Sequence, residues 1–124
     1  MTEQETFALL EEIGAAFARH DVGAMVGYFA KQGAFVNAVG PDPFGTRYEG
    51  HDEIRSYFDN LFAATEEVSW DKLDARVVGD KAYTEWHRRA TLKSGEKQDW
   101  LGGDVYTFGE GEILKKDTYI KVVG

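Results

Sequence analysis

Apolar positions in the first half of the chain recur at helical spacing, and from about residue 66 onward the period changes to two. Thr2 and Glu5 make a capping-box pair. Phe7, Leu10, Ile13 and Phe17 follow at three- and four-residue steps, which predicts an amphipathic helix over about 3–19. Asp21 can cap a second, short helix whose buried face is Val22, Met25, Val26 and Phe29. Gly23 and Gly27 each cost that helix roughly 1 kcal/mol against Ala, so it needs tertiary packing to persist. Residues 34–39 read as a short strand, and Gly40-Pro41-Asp42-Pro43-Phe44-Gly45 is dense in turn formers, which predicts an irregular loop. Asp52 and Glu53 suit a helix N-terminus, ahead of Ile54, Tyr57, Phe58, Leu61 and Phe62 at helical spacing.

The period-two half is punctuated at Gly79-Asp80, Ser94-Gly95 and Gly109-Glu110-Gly111, which predicts four antiparallel strands over about 66–78, 81–93, 97–108 and 112–123. Twelve residues at about 3.3 Å each give strands near 40 Å, long enough to demand a strongly twisted, curved sheet. Three helices cover only its concave face. The fold class expected is therefore α+β, a cone of curved antiparallel sheet wrapped around three N-terminal helices, with a ligand pocket at its open end.

Alternation assigns the inward faces. In strand 97–108 the set Trp100, Gly102, Asp104, Tyr106 and Phe108 is the more apolar, and Asp104 is carried inside with it. In strand 81–93 the inward set is Ala82, Thr84, Trp86, Arg88, Ala90 and Leu92, which leaves Tyr83, Glu85, His87 and Arg89 outside unless a bulge reverses the order. In the last strand Leu114, Lys116, Thr118, Ile120 and Val122 are expected inward. The outer face, with Tyr83, Val105, Ile113 and Tyr119, is apolar enough to predict a two-fold homodimer.

At 124 residues the chain has room for one domain, 1–124, with a single sizeable core. Fourteen Lys and Arg against 22 Asp and Glu give a net charge of −8, which opposes nucleic acid and anionic membrane surfaces as partners. Three Trp, six Tyr and eight Phe suit an aromatic-rich interior, and the absence of Cys removes disulfides and thiolate chemistry. The opening residues 1–12 are acidic without a basic, apolar leader, so neither a signal peptide nor a membrane span is expected, and the expected location is cytoplasmic.

The stretch Gly103-Asp104-Val105-Tyr106-Thr107-Phe108, then Gly111-Glu112-Ile113 and Lys116-Asp117-Thr118-Tyr119-Ile120-Lys121, is similar to the recurrent ending G-D-V-F-x-F-x-x-G-K-I-x-x-K-x-x-Y-x-K of one family. Asp21, Tyr28-Phe29, Ala34-Phe35, Tyr48-Glu49-Gly50-His51, Ile54 and Tyr57-Phe58 match that family's front half. Over nearly its whole length the chain resembles the SnoaL-like branch of the nuclear-transport-factor-2-like superfamily. The resemblance implies the cone fold and small-molecule chemistry of isomerase, cyclase or dehydratase type. It also locates departures. Asn37 stands where ketosteroid isomerases carry the proton-moving Asp, Ile13 stands at their tyrosine donor, and Asp104 alone matches their hydrogen-donating Asp. Ordinary steroid isomerisation is therefore not expected. The Arg-x-Asp motif of limonene-epoxide-hydrolase-like enzymes is missing, since Ala90 and Thr91 follow Arg88-Arg89, and His87 is the nearest candidate for a dehydratase His.

These readings set the candidate site. Asp104 is the proposed acid/base, or else a structural acid paired with Arg88 or backbone; a carboxyl among aromatic side chains in a cleft is suited to trade protons with a ligand. Asn37 is a candidate polar anchor, and Tyr57, Phe58, Trp86, Trp100 and Tyr106 are candidate walls. His20 and His51 flank helix ends, where a capping or solvated His needs no further role. The three His lack metal-ligand spacing and no nucleotide-binding motif is present, so no metal or cofactor is expected. The expected partner is a small apolar molecule, handled by cofactor-free acid/base chemistry. The alternative is a non-catalytic ligand-binding or association module.

Overall fold

Helix α1 (Glu3–Ala18) begins at a reciprocal cap: the Glu5 N–H donates to Thr2 Oγ1 at 3.1 Å and the Thr2 N–H donates to Glu5 Oε1 at 2.8 Å. The structure, a computed structural model, describes residues 1–122. Leu10, Ile13 and Ala16 carry the buried stripe of α1. Helix α2 (Val22–Gly27) is capped by Asp21, which accepts the Ala24 N–H at 3.1 Å. Six residues are too few for a helix to stand alone, and burial of Met25 and Val26 holds it in place.

Strand β1 (Phe29–Asn37) starts five residues earlier than the pattern predicts, so Phe29 belongs to the sheet and not to the face of α2. A short strand, β2 (Thr46–Glu49), was not predicted; it pairs with β1, placing Tyr48 opposite Phe35. Helix α3 (Gly50–Ala64) buries Ile54 and Phe58. The strands β3 (Thr65–Val78), β4 (Lys81–Leu92), β5 (Lys97–Gly109) and β6 (Glu112–Ile120) then follow at the expected turns. Val123, at the expected end of the last strand, lies outside the described residues.

The six strands form one sheet in the order β2-β1-β6-β5-β4-β3, with the helices on its concave face, so the expected α+β cone is the observed fold. Every pairing is antiparallel except β1 with β6, which run parallel because the rest of the chain forms the crossover between them.

Bulges curve the sheet and correct one expectation. Between β5 and β6 the register shifts after Thr107, so Phe108 faces Ile113 and Leu114 is the extra residue. Ile113 is consequently fully buried in the core, and Leu114, expected inward, is exposed. Beyond the bulge, Lys116 and Thr118 point inward as alternation requires. In β4 no bulge disturbs the pairing with β5, and Ala82, Trp86, Arg88 and Ala90 are all buried. Among the described residues, no helix is long and apolar enough to cross a membrane.

Candidate functional site

A cavity of about 360 Å³ lies between α1 and the concave face of the sheet. Ile13 and Phe17 line it from α1, Trp70 from β3, Trp86 from β4 and Tyr106 from β5, so most of its wall is apolar. Five charged residues border it: Glu11, Lys72 and Glu85 are exposed to solvent, whereas Asp104 of β5 and Lys116 of β6 are buried. This size and this mostly apolar wall suit a small organic ligand.

Register brings the two buried charges together. Asp104 faces Thr84 across β4 and Thr118 across β6, and Lys116 is two residues from Thr118 on the same face. Asp104 Oδ1 accepts from Lys116 Nζ at 2.9 Å and from Thr118 Oγ1 at 2.7 Å. Its Oδ2 accepts from the Trp86 indole Nε1–H at 2.9 Å and from Thr84 Oγ1 at 3.2 Å. Lys116 also donates to Thr118 Oγ1 at 3.1 Å, and its ammonium lies 5.0–5.9 Å from the ring centres of Phe17, Phe35 and Tyr106.

The side chains of this ion pair are only 7% and 5% exposed. Burial of both charges is tolerable because donors fill both carboxylate oxygens and aromatic faces receive the ammonium. Burial, and secondarily the Asp104 charge, push the Tyr106 phenol well above its ordinary value, so it stays a protonated donor at the cavity. Gly102, opposite Trp86, makes room for the indole: a Cβ there would sit 2.5 Å from Trp86 Cη2.

The sequence matches the SnoaL-like domain model over residues 10–115. The chain belongs to the SnoaL-like domain family. No curated protein matches it. Among solved structures, an NTF2-like protein of unknown function from Burkholderia pseudomallei has a TM-score of 0.84 at 18% identity, with 98% of this chain and 92% of that one covered. A protein with a ketosteroid isomerase-like fold from Catenulispora acidiphila, in complex with trimethylamine, has a TM-score of 0.78 at 19% identity, covering 90% and 83%. SalBIII, an epoxide hydrolase/cyclase-like enzyme with a role in pyran ring formation in the polyether salinomycin, has a TM-score of 0.82 at 21% identity, covering 97% and 93%. Likeness at these identities establishes the fold, and chemistry has to be argued from this chain's own side chains.

In this SnoaL-like domain the expected site residues divide. Asp104, Trp86 and Tyr106 stand on the cavity. Phe58 is core, edge-on to Phe17 at 5.4 Å. Tyr57 packs between Tyr48 and Phe35 at 4.9 and 5.1 Å, and Trp100 lies beneath the Arg88 guanidinium at 4.7 Å. Asn37 accepts the Ala38 N–H at 2.9 Å and borders a separate recess beside residues 43–45 and β6. His87 is on the outer face, where its Nε2–H donates to Asp99 and its Nδ1 accepts from Arg89.

The partner expected for Asp104 is also corrected. Arg88 lies two inward positions past Thr84, opposite Trp100, whereas Lys116 is diagonal to Asp104 on the adjoining strand. An inward Lys one strand from an inward Asp was the signal available in the sequence, and Lys116 was not singled out from it. His20 and His51 donate to the carbonyl oxygens of Val68 and Phe29 at 3.2 and 2.9 Å. Among the described residues no cluster of three or more His, Asp or Glu side chains is placed to hold a metal ion.

Proposed function

We propose that the cavity binds a small, mainly apolar cyclic molecule carrying a carbonyl group, and that the chain performs cofactor-free acid/base chemistry on it, of isomerase, cyclase or dehydratase type. The observation that carries this reading is the buried Asp104–Lys116 pair set beside the aromatic wall of Phe17, Trp70, Trp86 and Tyr106. The Asp104 carboxylate removes a proton from a ligand carbon next to the carbonyl. Negative charge then develops on the carbonyl oxygen, where Lys116 and the Tyr106 hydroxyl are the nearby donors. Thr84 makes the longest of the four contacts to Asp104, 3.2 Å, and lines the cavity, so its place is the one a ligand displaces. The second reading is ligand binding without turnover; it is favoured by the saturation of Asp104 and by the distance of Asn37 from the cavity.

The bicyclic ketone 1-tetralone separates the two readings. Binding moves the Trp86 indole N–H resonance, and mass spectrometry in deuterium oxide follows exchange at the carbon beside the carbonyl. Acid/base chemistry predicts faster exchange with the wild type and a loss of about 10²- to 10⁴-fold in Asp104→Asn, with affinity kept within about tenfold. Binding without accelerated exchange establishes the second reading.

Assembly is proposed on the outer face of the sheet. Tyr83, Leu101 and Tyr119 are exposed there, and a second copy brought up by a two-fold axis would cover them with the same residues. Light scattering should return about twice the chain mass of 13.9 kDa, and a monomer at micromolar concentration removes the proposal.

A further inference from the structure

Arg88 is a buried cation with no acid beside it among the described residues. The residue is 5% exposed, and among the described residues no carboxylate lies within ion-pair distance of it. With 22 acidic side chains in the chain, such a partner was available in number. Instead Nη1 donates to Gln98 Oε1 at 2.8 Å, and the guanidinium lies between two indoles, 4.7 Å from the Trp100 ring centre and 5.9 Å from that of Trp70. Pairing register puts these three residues in one row across β3, β4 and β5.

Nε and Nη2 of Arg88 have no partner among the described residues, and no fully occluded side-chain nitrogen there lacks one, so neither of the two is fully occluded. The Arg88 charge also acts on the Tyr57 hydroxyl. Burial and the neighbouring Tyr48 push that phenol up, while Arg88 and the Asn37 amide draw it back. Trp100, expected on the cavity wall, packs instead against this second charge.

We propose that Arg88 forms an anion subsite on the concave face, which takes the carboxylate of an organic acid whose ring-bearing body lies against Trp70 and Trp100. A guanidinium presents parallel N–H donors that match a carboxylate, and a site shielded from water strengthens that contact. Trp70 belongs both to this row and to the cavity wall, so a ligand can span the two. The inference deepens the reading of the cavity as a ligand site by giving the ligand a charge, and the two can fail separately.

Titration calorimetry with 2-naphthoate and its neutral counterpart 2-naphthalenemethanol, combined with the indole N–H resonances of Trp86 and Trp100, tests the subsite. The wild type should bind naphthoate at least tenfold more tightly than the alcohol and shift Trp100. Arg88→Met should bind the two alike, and Arg88→Lys, which keeps the charge without the fork, should retain part of the preference and covers the case in which the Met variant does not fold. Naphthoate preference unchanged in either variant overturns the subsite. Equal binding of both probes by the wild type, with Trp86 shifted, overturns the subsite and leaves the cavity reading standing. An Arg88-dependent preference with Trp86 unmoved supports the subsite and counts against ligand chemistry at Asp104. Binding of neither probe overturns it.

Discussion

The concave face buries two charged centres in opposite ways. Asp104 and Lys116 face each other at 2.9 Å with every carboxylate position occupied, whereas Arg88 has one hydrogen bond and two aromatic rings. Desolvation costs both centres several kcal/mol per ion, and only the first recovers it from partners inside the fold. A charge that the protein satisfies by itself can serve structure and chemistry together. One that it leaves open is paired only when something from outside arrives.

The largest effect that tests this contrast is removal of one cation from each centre. Lys116→Met strands the Asp104 carboxylate and should cost about 3–5 kcal/mol in urea unfolding, while Arg88→Met should cost less than about 1 kcal/mol, since an unpaired buried charge gives way to an apolar side chain. Equal losses would show that the centres are alike. Next in size is Gly102→Ala. Its Cβ would meet Trp86 Cη2 at 2.5 Å and the Tyr119 carbonyl oxygen at 2.6 Å, so overpacking should cost about 1–3 kcal/mol and shift the Trp86 indole signal, leaving Trp100 in place.

At alkaline pH the raised phenols of Tyr57 and Tyr119 respond as well, so the first centre is read from the difference between the wild type and Tyr106→Phe. The folded Tyr106 phenol is raised above its unfolded value, so its contribution is fully present below about pH 10 and is lost as pH rises toward the folded value, because the unfolded chain releases that proton first. Stability should fall by up to about 1.4 kcal/mol per pH unit from this group, and Tyr106→Phe should flatten the fall in melting scans between about pH 9 and 11. An identical slope in both proteins removes Tyr106 from the account. The smallest effect is at Gly14, on α1 at the mouth of the cavity, where an added Cβ meets nothing within 4 Å. Gly14→Ala should stabilise the helix by about 1 kcal/mol at most, and Gly14→Phe should block 1-tetralone while naphthoate still shifts Trp100.

Both centres were only half legible from the residues. Alternation was enough to put Asp104, Trp86 and Arg88 on the inner face, because side-chain direction in a strand depends only on position parity. It says nothing of which inward residue on the next strand comes within reach. The pairing of Asp104 with Lys116, and its separation from Arg88, follow from the β4–β5 and β5–β6 registers. The same limit explains why Tyr57, Trp100 and Asn37 stand away from the cavity, Tyr57 against Tyr48 and Phe35, Trp100 against Arg88 and Asn37 at a separate recess.

By itself the sequence determined the elements whose signals are local: the capped first helix, the third helix, and three hairpins closed at Gly79, Gly95 and Gly111, each glycine at positive φ. A cap, a turn residue or a helical repeat acts within a few positions, so it is written in the chain before any packing occurs. Only the tertiary structure decided β2, the parallel pairing of β1 with β6, the bulge that turns Ile113 in and Leu114 out, and the partners of each buried charge. Those depend on contacts between residues far apart in sequence, where closing the sheet selects one register among several that local preference leaves equally open.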